Sequence, residues 1–187
     1  MAKRKDNTPQ YLTEAQVARL LKAADCARDK AIILTTYRHG LRAGEVAALE
    51  WLDLDLSAGT IKVQRLKGSA SGTHPMLGDE MRALKAWRRE QQAEAEAKGQ
   101  SAPKLVFTGQ RGAMTPNGLN RLIGTIAARD PELPPLHFHT LRHACGYALA
   151  NQGRPLRSIA AYLGHKNIQN TMGYTQLAPN SFRNFWR

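Results

Sequence analysis

One stretch of this sequence alternates apolar and polar residues over a strand's length and then turns back on itself. Between Thr60 and Leu66, Ile61 and Val63 interleave with Lys62 and Gln64, the two-residue period of a half-buried strand. A Gly/Ser-rich tip from Gly68 to Gly72 follows, and Thr73 to Leu77 reads as the returning strand. The other apolar stretches recur with helical period, so this hairpin has only helices to pack against. The class that follows is mainly α with a small antiparallel β-sheet.

The helical stretches carry their own stop and start signals. Thr13-Glu14-Ala15-Gln16 is a capping box, and Val17, Leu20, Leu21 and Ala24 recur behind it. Ala31 to Tyr37 ends at His39-Gly40, where a glycine can take the left-handed cap, so Leu41 and Arg42 fall at a corner between helices. From Asp79 a helix shows Met81, Leu84 and Trp87 on one face, and its continuation from Glu90 to Lys98 reads as a solvated face. Thr115-Pro116 opens a helix with the stripe Leu119, Leu122, Ile123 and Ile126. After the connection Asp130 to Pro135, the helix beyond His139 carries Leu141, Ala144, Cys145, Ala148 and Leu149 before Gly153, and Pro155 to Leu163 forms a short helix stopped by Gly164.

The chain has 187 residues, the size of one domain, and 27 Lys and Arg against 15 Asp and Glu give a net charge of +12. That excess points to a polyanionic partner, because phosphates relieve the self-repulsion and release counterions. An RNA binder or mere solubility would carry the same charge. No apolar run reaches the roughly 18 residues of a membrane span, and Met1 to Lys5 is basic without an apolar stretch behind it. A soluble cytoplasmic protein is expected. Cys26 and Cys145 stand apart without CxxC spacing and are expected as reduced thiols. There is no HExxH, CxxC or carboxylate cluster, so no metal and no other cofactor is expected.

Basic and nucleophilic residues gather in a few segments where folding alone does not demand them. Arg42 lies beside a capping glycine with Glu45 three residues on, an orienting partner or an ordinary helix ion pair. His139 and Arg142 are spaced i, i+3 at a helix start, next to unpaired backbone N–H groups, an arrangement suited to a phosphate or to capping. His143 points elsewhere and reads as packing or as support behind the first line of residues. His165 follows Gly164 at a helix end, and Tyr174 comes nine residues later. Taken singly, each has a bland reading as a cap, a surface charge or a packed aromatic.

In order, the arginine, the hairpin Lys67, the HxxR of His139 and Arg142, the GH of His165 and the tyrosine resemble the active-site signature of the tyrosine recombinases, the phage integrase family. The closer resemblance is to the small invertases of fimbrial phase variation. It rests on Arg65-Leu66-Lys67, Thr73 to Leu77 (THPML), His139 to Gly153 (HTLRHACGYALANQG), Tyr162 to Ile168 and Tyr174-Thr175. It runs from about Leu12 to the end of the chain and includes Phe182 and Trp186.

That resemblance implies the tyrosine recombinase catalytic-domain fold over residues 12–187, after a basic and polar tail at 1–11, with no separate core-binding domain. It implies Tyr174 as a nucleophile that forms a 3′-phosphotyrosyl bond, with Arg42, Lys67, His139, Arg142 and His165 around the phosphate and Glu45 and His143 behind them. Lys67 would protonate the leaving 5′-oxygen, and His139 would also handle the tyrosine proton. Neither metal nor ATP is needed. The implied partners are double-stranded DNA with inverted-repeat sites, further copies of the chain (a tetramer on DNA) and host DNA-bending proteins, in a bacterial cytoplasm at the nucleoid. The implied outcome is DNA inversion of the fimbrial-switch type, acting on transcription. Relaxation of the type IB topoisomerase kind and a catalytically silent DNA-binding factor on the same fold are the competing readings. Lys3, Arg4, Lys5, Arg38, Arg65, Arg111, Lys166 and Asn167 are further candidate DNA contacts. The tail from about residue 179, with Phe182, Phe185 and Trp186, either packs on its own domain or exchanges between protomers.

Overall fold

The computed structural model describes residues 11–65, 71–110 and 112–176; Lys3, Arg4, Lys5, Lys67, Arg111, Phe182, Phe185 and Trp186 lie outside it. The first helix, α1 (Glu14–Ala23), starts with the expected capping box, Thr13 Oγ1 accepting from the Gln16 N–H and the Gln16 side chain accepting from the Thr13 N–H. Helix α2 (Ala27–His39) stops at Gly40, which adopts φ 57°. A side chain there is doubly excluded, because a Cβ would also come within 2.3 Å of Leu163 Cδ2. The chain re-enters a short helix, α3 (Ala43–Ala47), with Arg42 at its N-cap.

The alternating stretch forms β2 (Thr60–Val63), paired on one side with β1 (Leu54–Asp55) and on the other with β3 (Gly72–Pro75), all antiparallel. Both strands of the hairpin are shorter than the alternation suggests. A second ribbon was not expected from the sequence: β4 (Thr108–Gly109) pairs with β5 (Gly112–Ala113). Helix α4 (Gly78–Ala97) crosses α2, and its second half is not simply solvated. Gln91 is buried there because it accepts from Trp51 Nε1 at 2.8 Å and donates to Thr108 Oγ1 at 2.8 Å and to the Leu105 carbonyl. An amide that can both donate and accept ties three segments together where a long apolar side chain would leave them unpaired.

Helix α5 (Pro116–Ala127) opens on Thr115 with proline at its first position, as expected. Helix α6 (Phe138–Asn151) follows, then α7 (Leu156–Leu163), capped by Gly164 at φ 66°. The last described element, α8 (Gln169–Gln176), was not anticipated, since Gln169-Asn170-Thr171 offers no apolar stripe.

Burial divides these elements into a main core and a satellite. The main core joins α1, α2, α4, α5, the sheet and the front of α6 through Leu20, Ile32, Ile33, Ile61, Leu84, Phe107, Ile123 and Leu141, each sealed from solvent. At about 1.5–3 kcal/mol for each large apolar side chain, that core supplies the bulk of the stabilisation. The satellite is small: Cys145, Ala150, Ile159, Leu163 and Tyr174, with Tyr147, Leu149 and Tyr162 against it. It is where α8 is held. Among the described residues no helix is long and apolar enough to cross a membrane.

Candidate active site

Arg42 stands at the head of α3, where Glu45 accepts its backbone N–H at 2.9 Å and its guanidinium at 2.7 Å. Glu45 also takes Arg65 Nη1 at 2.8 Å, so one buried carboxylate orients two arginines. Burial acts to raise its pKa, and the Arg42 N–H with the Arg65 and Arg42 guanidiniums outweighs that, holding it below the usual carboxylate range. The two arginines differ in access. Arg42 keeps a third of its side chain open to solvent, whereas the Arg65 side chain is 1% exposed.

Arg65 was a candidate DNA contact, and the structure corrects that. Its guanidinium donates to Glu45 Oε2, the Gly40, His39 and Tyr162 carbonyls, and nothing of it faces outward. Gly164 has no side chain to obstruct this, since a Cβ there would meet Arg65 Cγ at 2.9 Å. Arg65 therefore fastens the hairpin to the ends of α2 and α7. Arg38, another candidate, is paired with Asp79 at 2.6 Å and half-buried, while Lys166 and Asn167 are exposed.

Arg142, on the first turns of α6, is almost wholly buried and donates to the Gly40 and Leu163 carbonyls, the last turns of α2 and α7. Both helices end on left-handed glycines or just before one, which leaves these carbonyls free to accept. Burial, then Arg42 and Arg65, push Arg142 down to about 10, so it is still a cation at neutral pH. A cation so fixed has its geometry set before any anion arrives.

Tyr174 on α8 lies against α6. Its ring passes over Gly146, where a Cβ would be 2.6 Å from the ring, and Tyr147 meets it edge to face with centroids 5.0 Å apart. Its hydroxyl pairs with His143 Nδ1 at 3.0 Å. The His165 ring lies nearly parallel to that of Tyr174, centroids 6.2 Å apart, with its own Nδ1 against buried Thr171 Oγ1 at 2.9 Å. His139 is exposed and meets the His143 ring edge-on at 4.5 Å. Burial raises the Tyr174 hydroxyl to about 12, against the pull of Arg142 and Arg42. His165, desolvated and beside Arg142, Arg42 and Arg65, is lowered to about 4, and His143 is lowered by burial and Arg142. Neutral imidazoles at neutral pH follow for both.

Of the expected site residues, Arg42, Glu45, His139, Arg142, His143, His165 and Tyr174 converge; Lys67 falls in the connection between β2 and β3, outside the described residues. One expectation is reversed. His143 does not point elsewhere: it, and not His139, holds the tyrosine hydroxyl. Gly146, Tyr147 and Thr171 were missed. The signal for the first two was present in the spacing, since 139, 143, 146 and 147 follow i, i+4, i+7, i+8 along one helical face.

Comparison with known proteins agrees with this geometry. The phage integrase family model matches residues 10–181. Type 1 fimbriae regulatory protein FimE of Escherichia coli K12 is 38% identical over 181 residues, covering 94% of this chain and 90% of that protein. Type 1 fimbriae regulatory protein FimB of the same strain is 37% identical over 185 residues, covering 94% and 88%. Among solved structures, the XerA recombinase superposes with a TM-score of 0.78 at 25% identity, over 92% of this chain and 62% of that one. With a family model spanning nearly its whole length and relatives of this similarity, the chain belongs to the phage integrase family.

Proposed function

We propose that this protein is a site-specific DNA recombinase of the tyrosine class, and that Tyr174 is the residue that becomes joined to DNA. The observation that carries the reading is the convergence of a buried tyrosine hydroxyl, an outward arginine, an immobilised arginine and three histidines from separate chain segments. A phenol with an ordinary pKa near 10 is a weak nucleophile at neutral pH and needs cations to take up charge as it attacks. Arg142 and Arg42 supply two, in a site already organised before substrate binds.

In this reading Tyr174 Oη attacks a phosphodiester, the 5′-oxygen leaves with a proton from Lys67, and a 3′-phosphotyrosyl bond remains. Arg42, open to solvent, grips phosphate oxygens as a planar fork, Arg142 supplies a fixed positive charge from within the site, and His139 and His165 donate further hydrogen bonds. The covalent bond retains the energy of the cut strand, so the 5′-hydroxyl of a second strand reseals it without ATP or metal. Two rounds exchange a pair of sites.

The relatives' role as fimbriae regulatory proteins supports inversion of a promoter-bearing segment between inverted repeats, and a recombinase acting on two sites requires several copies, a tetramer on DNA. Lys166 and Asn167, exposed between His165 and α8, would meet phosphates beside the scissile one. Host DNA-bending proteins would assist assembly, in the bacterial cytoplasm at the nucleoid, and the tail from about residue 179 would pass between protomers. The test is a nicked duplex selected by this protein from a random pool. Wild type should accumulate a covalent adduct that Tyr174→Phe does not form; no adduct from wild type on a duplex it binds tightly contradicts the reading.

A further inference from the structure

We propose that His143, and not His139, accepts the proton of the Tyr174 hydroxyl as that oxygen attacks phosphorus, and returns it when the strand is resealed. The inference rests on the recombinase reading above and assigns a catalytic residue within it. Its ground is the face of α6 on which the tyrosine lies. Gly146 leaves room for the ring, Tyr147 braces its edge, and one turn nearer the helix start His143 receives the hydroxyl at 3.0 Å. Position 146 cannot carry a side chain while the ring stays there, so the stripe sets where the hydroxyl ends. His139 lies a further turn along, in contact with the His143 ring but with no hydrogen bond to Tyr174.

The other groups around the hydroxyl are unsuited to the task. From the α7–α8 connection His165 approaches Tyr174 ring to ring, and its Nδ1 is taken by Thr171. Arg142 from α6 and Arg42 from the start of α3 act on the cluster as fixed cations. His143 itself faces His139 and Arg142 of its own helix, Tyr174 of α8 and His165 beyond it. Burial and Arg142 lower it, which favours the neutral ring, and in the tautomer with the proton on Nε2 its Nδ1 accepts from the hydroxyl.

The proton count closes. As the Tyr174 O–P bond forms, the hydroxyl proton moves to His143 Nδ1 and gives an imidazolium, while the P–O5′ bond breaks and the 5′-oxygen takes a proton from Lys67. Resealing runs both transfers backwards, His143 protonating the departing Tyr174 oxygen.

The experiment is the rate of adduct formation against pH on the nicked duplex, for wild type, His143→Gln, His143→Ala and His139→Ala. Wild type should show a rate that rises with pH through an imidazole titration and then levels. His143→Gln should slow by about 10²–10³-fold and lose that limb while binding DNA as wild type does, since proton transfer by a placed base contributes on this scale. His143→Ala should regain rate on addition of free imidazole, and His139→Ala should retain the limb. A His143→Gln protein with wild-type rate, or one that is slow with the limb intact, overturns the assignment, as does loss of the limb in His139→Ala. If wild type forms adduct and His143→Gln matches it, only this inference falls; if wild type forms none, the recombinase reading falls with it.

Discussion

His39 and His74 meet Nδ1 to Nδ1 at 3.3 Å in a closed interior, with Glu80 on His39 Nε2 at 2.9 Å and the Tyr162 ring stacked on His74 at 3.9 Å. His139, His143 and His165 instead gather beside one tyrosine at the edge of the satellite core, His143 on its hydroxyl, His165 against its ring and His139 against the His143 ring, partly open to solvent. Both groups border the last turn of α7, the first through Tyr162 and the second through Leu163, whose carbonyl holds Arg142. The residue type is the same and the use differs. In the closed group every described polar contact ends within the protein, linking α2, β3, α4 and α7, so it can only hold the hairpin in place. In the open group a neutral imidazole faces a group that can react. Arg65 and Arg42 repeat the contrast on a single carboxylate: the enclosed one fastens, the open one is available to a phosphate.

The largest effect that would sharpen this comparison comes from Arg142, which belongs to both functions. Arg142→Ala should cut adduct formation by about 10²–10³-fold, because a pre-set charge donor is worth that much in a transition state. It should also unpair the Leu163 carbonyl, at a cost of about 1–3 kcal/mol in urea unfolding, and leave the Gly40 carbonyl to Arg65 alone. Loss of stability with cleavage intact would break the assignment of Arg142 to the chemistry.

The closed group should instead report in stability against pH. Burial first, then His39 and Arg65, lower His74 to about 3 from 6.5. Between those values the unfolded chain binds a proton that the folded protein refuses. Stability from this group is therefore full above pH 6.5 and falls as pH drops towards 3, by on the order of 1 kcal/mol per unit. His74→Phe keeps a ring on Tyr162 and should remove this group's share of that slope in urea titrations at pH 4 to 7, leaving the shares of His139 and His165, also lowered to about 4, with adduct formation at pH 8 little changed. A strong loss of cleavage at unaltered stability would move His74 into the chemistry and erase the distinction.

The smallest effect is expected at the exposed edge. Lys166→Ala should weaken DNA binding evenly across sequences and reduce the salt dependence, log K against log salt, by about 0.9 for one lost phosphate contact. An unchanged slope would remove Lys166 from the interface.

Much of this was legible in the sequence. Thr13, Gly40, Thr115-Pro116 and Gly164 mark element ends through local chemistry, which a sequence displays directly, and the ordered basic residues with Tyr174 resemble a family signature. What stayed hidden depends on contacts across long separations. Arg65 precedes a glycine-rich tip and Arg42 follows a capping glycine, and only the fold, by bringing the ends of α2 and α7 around Arg65, makes that one structural. Gln91 looked solvated because its partners, Trp51 and Thr108, lie far along the chain. Helix α8 lacks an apolar stripe of its own, since what holds it is chiefly Tyr174 entering a pocket made by other helices. The role of His143 was recoverable from the 139, 143, 146, 147 spacing, but only once the tyrosine was known to lie on that face.

The central claim is that one hydroxyl in the open group, that of Tyr174, becomes bonded to DNA. The most direct measurement is proteolysis of the adduct formed on the nicked duplex, followed by peptide mass spectrometry to find the residue carrying the nucleotide. A 3′-phosphonucleotide is expected on the peptide containing Met172-Gly173-Tyr174, attached to Tyr174. A nucleotide found on Tyr147, Tyr162 or any other side chain would contradict it.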